Sequence, residues 1–433
     1  MVWPSGPLAA DSSVRLEMER ATREEVKVAV TEFELGKNST DPEGLGREAR
    51  KILETDLRLS ELFIKIMPTI YESLERRERG KKEVDLWAWH QTGAQWLIKT
   101  EYSVMSGGKL SFVFRLYDTI GERFLLGKRY TVGKNLLRKV IHRYADELVL
   151  QLTGKRGVAE TQIAFLSNDN KNKEIFTIDF DGFNSKQMTY DQTLNLTPTW
   201  SPNGRWLVYT SYSGNNPDLV MIDALGKKPK RTLLRLLGLN AAPSWSPVDN
   251  RLTLVLSKDK NSEIYTLENN KELRRLTRHF NIDTSPTWSP DGKKIAFTSD
   301  RSGTGSPQIY IMDARQGDRV GVERISFGSS YNDNPAWSPD GDKIAYTSRV
   351  GKRFQITIYD LKIKKSTVFT KTRGNNEQPT WSPDGRFLAY RHKEGSETHI
   401  YVQRLGSSKV RQLSFSSGGG TSPSWAPYRI RKP

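Results

Sequence analysis

A Trp-Ser-Pro unit, or a close variant, returns through the second half of this 433-residue chain, anchored at Trp200, Trp245, Trp288, Trp337, Trp381 and Trp425, with neighbouring anchors 43 to 49 residues apart. That spacing falls inside the roughly 40 to 50 residue period at which one repeat builds a four-stranded propeller blade. A single unit of this kind would mark only a turn. Its return at a nearly fixed interval constrains the architecture of the whole region.

The unit around Trp288 shows the pattern. Ser285 to Trp288 leads into a turn through Ser289, Pro290, Asp291 and Gly292, followed by apolar runs at Lys294 to Ser299 and Gln308 to Asp313 and a last run at Glu323 to Phe327. Pro presets φ for a turn and Gly supplies the positive φ of a tight hairpin, so each unit reads as four short antiparallel strands. The second strands alternate large, small, large: Ile163-Ala164-Phe165, Leu207-Val208-Tyr209, Leu252-Thr253-Leu254, Ile295-Ala296-Phe297, Ile344-Ala345-Tyr346 and Leu388-Ala389-Tyr390. Successive side chains of a strand point to opposite faces, and this alternation suits sheets stacked face to face around an axis. The unit at Trp245 carries Asp249 where Gly usually sits, and Asp is expected to tolerate the left-handed conformation there.

The array is offset at its ends. Ile163 to Ser167, Glu174 to Asp179 and Lys186 to Thr189 supply second, third and fourth strands with no Trp-Ser-Pro unit before them, whereas Ser422 to Pro427 supplies only a first strand. The C-terminal strand is therefore expected to complete the first blade and remove an open sheet edge.

Ahead of the repeat the period changes. Val26 to Val30 alternates like a strand; Leu45, Ala49, Ile52, Leu53 and Leu57 fall on one helical face, and so do Leu137, Val140, Ile141, Tyr144, Leu148 and Leu152. Strands are expected between them at Trp96 to Tyr102, Leu110 to Asp118 and Phe124 to Tyr130, with a joint at Thr153 to Gly157. The fold class that follows is multidomain: a flexible segment over 1–25, a small N-terminal α/β (α+β) layer domain over 26–156, and a six-bladed all-β propeller over 157–433 closed by the C-terminal strand.

Composition narrows function by exclusion. The chain has no cysteine, which removes disulfides, thiol catalysis and Cys-ligated metal. It has no apolar run long enough to span a membrane. Its first 20 residues hold Trp3, Pro4 and Pro7 but no apolar core of a secretory signal. The formal charge of +17 is spread through turns and strand ends, with short clusters such as Arg76-Arg77 and Lys81-Lys82 beside Glu, and reads as solubility rather than specific nucleic-acid binding. No Gly-x-Ser-x-Gly elbow occurs. The histidines His90, His142, His279, His392 and His399 lack metal-ligand spacing, so no metal or cofactor is expected. His142 reads as a packed or capping side chain, and His279 and His392 as loop residues near the channel mouth. Asp179, Asp223, Asp313 and Asp360, each ending a third strand, read as turn-formers.

Strand alternation also locates the mouth. The Pro-Asp-Gly turns lie on one face of the disc; the segments entering the innermost strands lie on the other. There the candidate partner-binding rim comprises Leu196, Thr197, Leu239, Asn240, Ala241, Ala242, Asp283, Thr284, Ser285, Asp333, Asn334, Glu377, Gln378 and Thr421, taken as loop residues just ahead of each innermost strand. Asn, Asp, Ser and Thr at such places also serve simply to cap strands.

The chain resembles the TolB family, the periplasmic β-propeller component of the bacterial Tol-Pal envelope system. The resemblance covers nearly everything from Val26 onward. It rests on Asp56 to Phe63 (Asp-Leu-Arg-Leu-Ser-Glu-Leu-Phe), Phe114 to Asp118, His142 to Asp146, Leu152-Thr153-Gly154 and Phe297 to Arg301 ahead of Gln308-Ile309-Tyr310, together with the Trp-Ser-Pro-Asp-Gly units. It implies a non-catalytic adaptor that binds the peptidoglycan-associated lipoprotein Pal at the propeller mouth, meets TolA through its N-terminal segment, is recruited by some colicins, and serves outer-membrane integrity and cell division. The segment Met1 to Glu25 departs from the family pattern. A second class stays open at this stage: a sialidase-like or lactonase-like hydrolase with its pocket in the channel.

Overall fold

The computed structural model describes residues 25–429 except 82, 169–171, 215, 270, 271 and 304. The expected flexible segment 1–25 thus lies, apart from Glu25, outside the described residues, as does Lys82. The chain separates into two compact units, one ending at Glu160 and one beginning at Thr161.

In the first unit a five-stranded sheet runs in the order β2-β1-β3-β4-β5, where β1 is Val26–Leu35, β2 Phe63–Lys65, β3 Trp96–Met105, β4 Lys109–Asp118 and β5 Arg123–Gly133. β1 pairs in parallel with β2 and β3, and the remaining pairs are antiparallel. Helices α1 (Leu45–Ser60) and α4 (Leu137–Thr153) cover one face. Two helices that the periodicity had not marked, α2 (Pro68–Glu78) and α3 (Leu86–Gln91), cover the other. The central strand therefore buries both faces: Val28 and Val30 join the α1/α4 core and Ala29 joins the core of Tyr71 and Trp89.

Both long helices have chemically explicit ends. The Asp41 carboxylate accepts the N–H groups of Leu45 and Gly46, each at 3.0 Å, and thereby satisfies donors left free at the start of α1. Gly154, at φ 71°, terminates α4 in a conformation that costs a glycine nothing. His142 is buried, with Nδ1 2.7 Å from Asp56 on α1. Asp146, also buried on α4, accepts the N–H groups of Ala159 at 2.7 Å and Glu160 at 3.2 Å and so anchors the segment that follows the helix.

The second unit is a six-bladed propeller of four-stranded sheets. Blade one joins the innermost strand Thr421–Trp425 to Gln162–Ser167, Glu174–Asp179 and Lys186–Gln187, which is the closure expected from the offset ends. Blades two to six span 195–234, 240–275, 283–324, 332–368 and 375–412. The large-small-large triplets explain the stacking. Ile295 and Phe297 of blade four pack with Ile264 of blade three, while Ala296 leaves room for Ile344 and Tyr346 of blade five.

A recurring polar lock joins successive blades. A residue at or near the start of a third strand accepts a hydroxyl from a residue two positions past the outermost strand: Thr277 to Glu263 at 2.6 Å, Ser326 to Gln308 at 2.7 Å, Thr370 to Gln355 at 2.8 Å. An Asn opening the next blade then donates to that same acceptor, Asn332 to Gln308 at 2.8 Å and Asn376 to Gln355 at 2.9 Å. The lock shortens the outermost strands. In blade four the strand expected at Glu323 to Phe327 ends at Arg324, because the hydroxyl of Ser326 accepts the N–H of Ile309.

The hairpin at Trp245 survives by a different means from that expected. Asp249 stays out of the left-handed region. Its carboxylate instead accepts the N–H and Nε of Arg251, while Trp245 still pairs with Leu252. In the regular turn Gly292 does adopt positive φ, and Asp291 accepts from the Ser289 hydroxyl and the Lys293 N–H.

Candidate functional site at the propeller mouth

The innermost strands all carry a proline two positions before their tryptophan: Pro198, Pro243, Pro286, Pro335, Pro379 and Pro423. Proline cannot donate to a ladder and sits in a sheet only at an edge or a bulge. Each innermost strand is indeed bulged there; in blade four Thr284 pairs with Thr298 and Thr287 with Ala296, so two residues oppose one. The residue ahead of the proline adopts positive φ in every blade: Thr197 at 47°, Ala242 at 48°, Ser285 at 51°, Asn334 at 52°, Gln378 at 58° and Ser422 at 49°. A β-branched or pre-proline residue is uncommon in that region. Six such positions encircle the channel mouth.

This geometry corrects the placement of the candidate rim. Leu196, Thr197, Asn240, Ala241, Ala242, Asp283, Thr284, Ser285, Asp333, Asn334, Glu377, Gln378 and Thr421 belong to the first halves of innermost strands, not to loops ahead of them, and only Leu239 precedes its strand. The bulge lets pairing continue past the proline. Asn240 and Asp283 are fully buried. Asn240 donates to the carbonyls of Pro217 and Leu236, and Asp283 pairs with Arg301 at 2.8 Å, so both hold the frame. Leu196, Ala241, Ala242, Thr284, Ser285, Asp333, Asn334, Glu377, Gln378 and Thr421 are half-buried and Thr197 is exposed.

Hydrogen bonds run from blade to blade along the part of this ring formed by blades four, five, six and one. Asp333 accepts from the hydroxyls of Thr298 at 2.9 Å, Tyr331 at 3.1 Å and Ser285 at 3.3 Å. Burial and then the neighbouring Asp333 carboxylate push the Tyr331 phenol well above its ordinary value, which keeps it a donor. Glu377 accepts from Arg391 at 2.9 Å, the Gln378 N–H donates to Thr347 at 3.0 Å, and the Ser422 N–H donates to Gln378 Oε1 at 2.9 Å. Tyr331, Thr298 and Arg391 were not among the candidates, and no local motif in the sequence marks them as rim groups.

His279 lies in a mouth-side loop, its ring stacked on Phe280 at 4.4 Å. His392 does not: it is a buried strand residue of blade six, with Nδ1 2.8 Å from Asn376 Oδ1. Above the polar ring, links between blades raise large apolar side chains into solvent: Tyr190, Leu237 (82% exposed), Phe280 (85%), Phe327 and Phe415. The opposite end of the channel is a cavity of about 470 Å³ lined by all six repeat tryptophans and the prolines two positions after them, such as Pro202 and Pro290.

A ring of hydrogen-bonding groups thus lies at one mouth beside links that carry exposed apolar side chains, and the fold places the chain among six-bladed β-propeller proteins that follow an α/β domain. The profile of the TolB beta propeller domain matches residues 149–429, and that of the TolB amino-terminal domain matches residues 14–125. The chain belongs to the TolB family. It is 38% identical over 209 residues to the Tol-Pal system protein TolB of Desulfosudis oleivorans, covering 47% of each chain. It is 30% identical over 283 residues to the protein TolB homolog of Chlorobium luteolum, covering 65% of this chain and 62% of that one. These matches thus span less than two thirds of the curated relatives' length. The crystal structure of TolB from Acinetobacter baumannii superposes with a TM-score of 0.78 at 26% identity, covering 93% of this chain and 97% of that one.

Proposed function

We propose that the protein is a non-catalytic periplasmic adaptor of the Tol-Pal system, binding the peptidoglycan-associated lipoprotein at the propeller mouth in support of outer-membrane integrity and cell division. The observation that carries this reading is the ring of bulged, positive-φ residues at one mouth, several of them tied to one another and to neighbouring blades by side-chain hydrogen bonds. Unusual backbone of this kind persists where the surrounding structure over-determines it, and clusters at ligand clamps. The carboxylates at the mouth, Asp333 and Glu377, are already engaged by hydroxyl and guanidinium donors, an arrangement that fixes a recognition surface. A contact with TolA through residues 1–25 belongs to the same proposal.

The test is calorimetric titration of Pal into the wild type and into Ala242→Trp. Ala242 is half-buried at the mouth, outside the interblade cores. A bulky side chain there should weaken Pal binding by about 2 kcal/mol or more, the scale of a lost hot spot, with little change in the thermal melt. Undiminished affinity would move the site elsewhere, and no affinity in the wild type would reopen the hydrolase reading.

A further inference from the structure

The formal charge of +17 looks dispersed in the sequence, yet the fold gathers a share of it beside the mouth. Arg349, Lys352 and Arg353 lie at the tip of the hairpin joining the second and third strands of blade five, Lys371 and Arg373 in the link from blade five to blade six, and Lys393 on the second strand of blade six. All six are exposed. Pairing brings them together: Arg349 faces Phe354, whose N–H donates to Asn375 at 3.0 Å, and Asn375 is in register with Lys393.

None of these six cations forms an ion pair with a carboxylate among the described residues. The contrast with their neighbours is sharp, since Arg391 is held by Glu377 at 2.9 Å and Arg301 by Asp283 at 2.8 Å. The exposed acidic groups nearby are Glu394 and Glu397, in register across the tip of the blade-six hairpin, with Glu394 3.7 Å from His392 Nε2. The sector also adjoins the polar ring. The Arg349 N–H donates to the Tyr331 carbonyl at 3.0 Å, the Tyr331 ring meets Phe354 at 5.1 Å, and the Tyr331 hydroxyl donates to Asp333. Exposed Phe327 lies in the preceding link.

We infer that this sector is the docking surface for an acidic polypeptide segment of the partner that seats on the mouth. This inference rests on the rim reading above and adds the chemistry of what the partner presents. Six unpaired cations grouped within two blades raise the local potential enough to steer an anionic segment and set its orientation. The adjoining aromatic pair and Phe327 give such a segment apolar anchorage. A planar anionic lipid surface fits less well, because it would meet the exposed Glu394 and Glu397 carboxylates of the neighbouring hairpin tip, whereas a polypeptide lies across the cations alone.

The experiment measures association of Pal with the wild type and with Arg353→Glu/Arg373→Glu by stopped flow and calorimetry, at low and high salt, with a thermal melt of each. Roughly tenfold weaker binding, mostly in the association rate and shrinking as salt screens the charges, supports the inference. Arg353→Lys/Arg373→Lys should retain wild-type behaviour. Wild-type binding that the charge reversal leaves unchanged at every salt overturns this inference and spares the rim reading. No binding in the wild type overturns both. Release of phosphatidylglycerol vesicles by the same reversal, with Pal binding untouched, would assign the sector to lipid and overturn the inference.

Discussion

Trp425 and Thr161 are 264 positions apart in sequence and joined by a 2.9 Å hydrogen bond from the indole Nε1 to the threonine hydroxyl. The bond fastens the last strand of the propeller to the segment entering the first. The same indole packs against Phe180 and Phe387, with ring centroids at 5.8 Å and 6.4 Å, and is 6% exposed. Blade one therefore depends on the end of the chain for its innermost strand.

Trp425→Ala should accordingly cost about 3 to 5 kcal/mol, the range for emptying a buried aromatic site. That corresponds to a melting temperature lower by about 10 °C for a unit of this size. Deletion from Thr421 onward should cost more, since it also unpairs the backbone of the second strand. A melt indistinguishable from wild type in either variant would contradict the closure.

The positive-φ ring yields an inverted expectation for glycine. Thr197 is β-branched, precedes Pro198 and sits at φ 47°. Glycine adopts that conformation without steric cost, although in ordinary strand positions it destabilises by about 0.5 to 1 kcal/mol relative to Ala. Thr197→Gly should therefore leave stability unchanged or raise it by about 1 kcal/mol, and Thr197→Val should not, when both are measured by urea denaturation.

Arg301 and Asp283 form a pair of which the carboxylate side chain is fully buried. Burial raises the Asp283 pKa and the Arg301 guanidinium opposes the rise. Arg301→Ala strands the charge and should cost about 3 kcal/mol near neutral pH. The deficit should shrink as pH falls, because a protonated Asp283 needs no counter-charge. Asp283→Asn in the Arg301→Ala background should recover part of the loss in the same melts.

The propeller was legible because its information is periodic: the Trp-Ser-Pro spacing counts blades, and the large-small-large triplets assign faces. The mouth was legible in position and wrong in detail. Asn240 and Asp283 look like rim polar groups in sequence, and only their partners in the fold, the Pro217 and Leu236 carbonyls and Arg301, show that they are buried. The bulge was readable in principle from a proline inside a strand. The basic sector was not, since Arg349, Arg373 and Lys393 become neighbours only through the pairing of two blades. Helices α2 and α3 escaped because Val26 to Val30 reads as an alternating, half-buried strand, whereas Ala29 is in fact buried against Tyr71 and Trp89.

Asp146 supplies a pH signature in the first unit. Its carboxyl is pushed up to about 7 by burial, against the lowering effects of the Ala159 N–H, Arg156 and the Glu160 N–H. The folded state thus holds a proton that the unfolded chain, with an ordinary Asp, releases near pH 3.9. Between those values the native form binds more protons, so unfolding free energy falls as pH rises: the contribution is complete below about pH 4 and lost through about pH 7. The slope from this one group approaches at most about 1.4 kcal/mol per pH unit. Asp146→Asn keeps an acceptor for the Ala159 N–H and cannot titrate. Denaturation of the full chain across this range should show the variant's stability flatter with pH than that of the wild type, and parallel curves would show that Asp146 does not carry the proton.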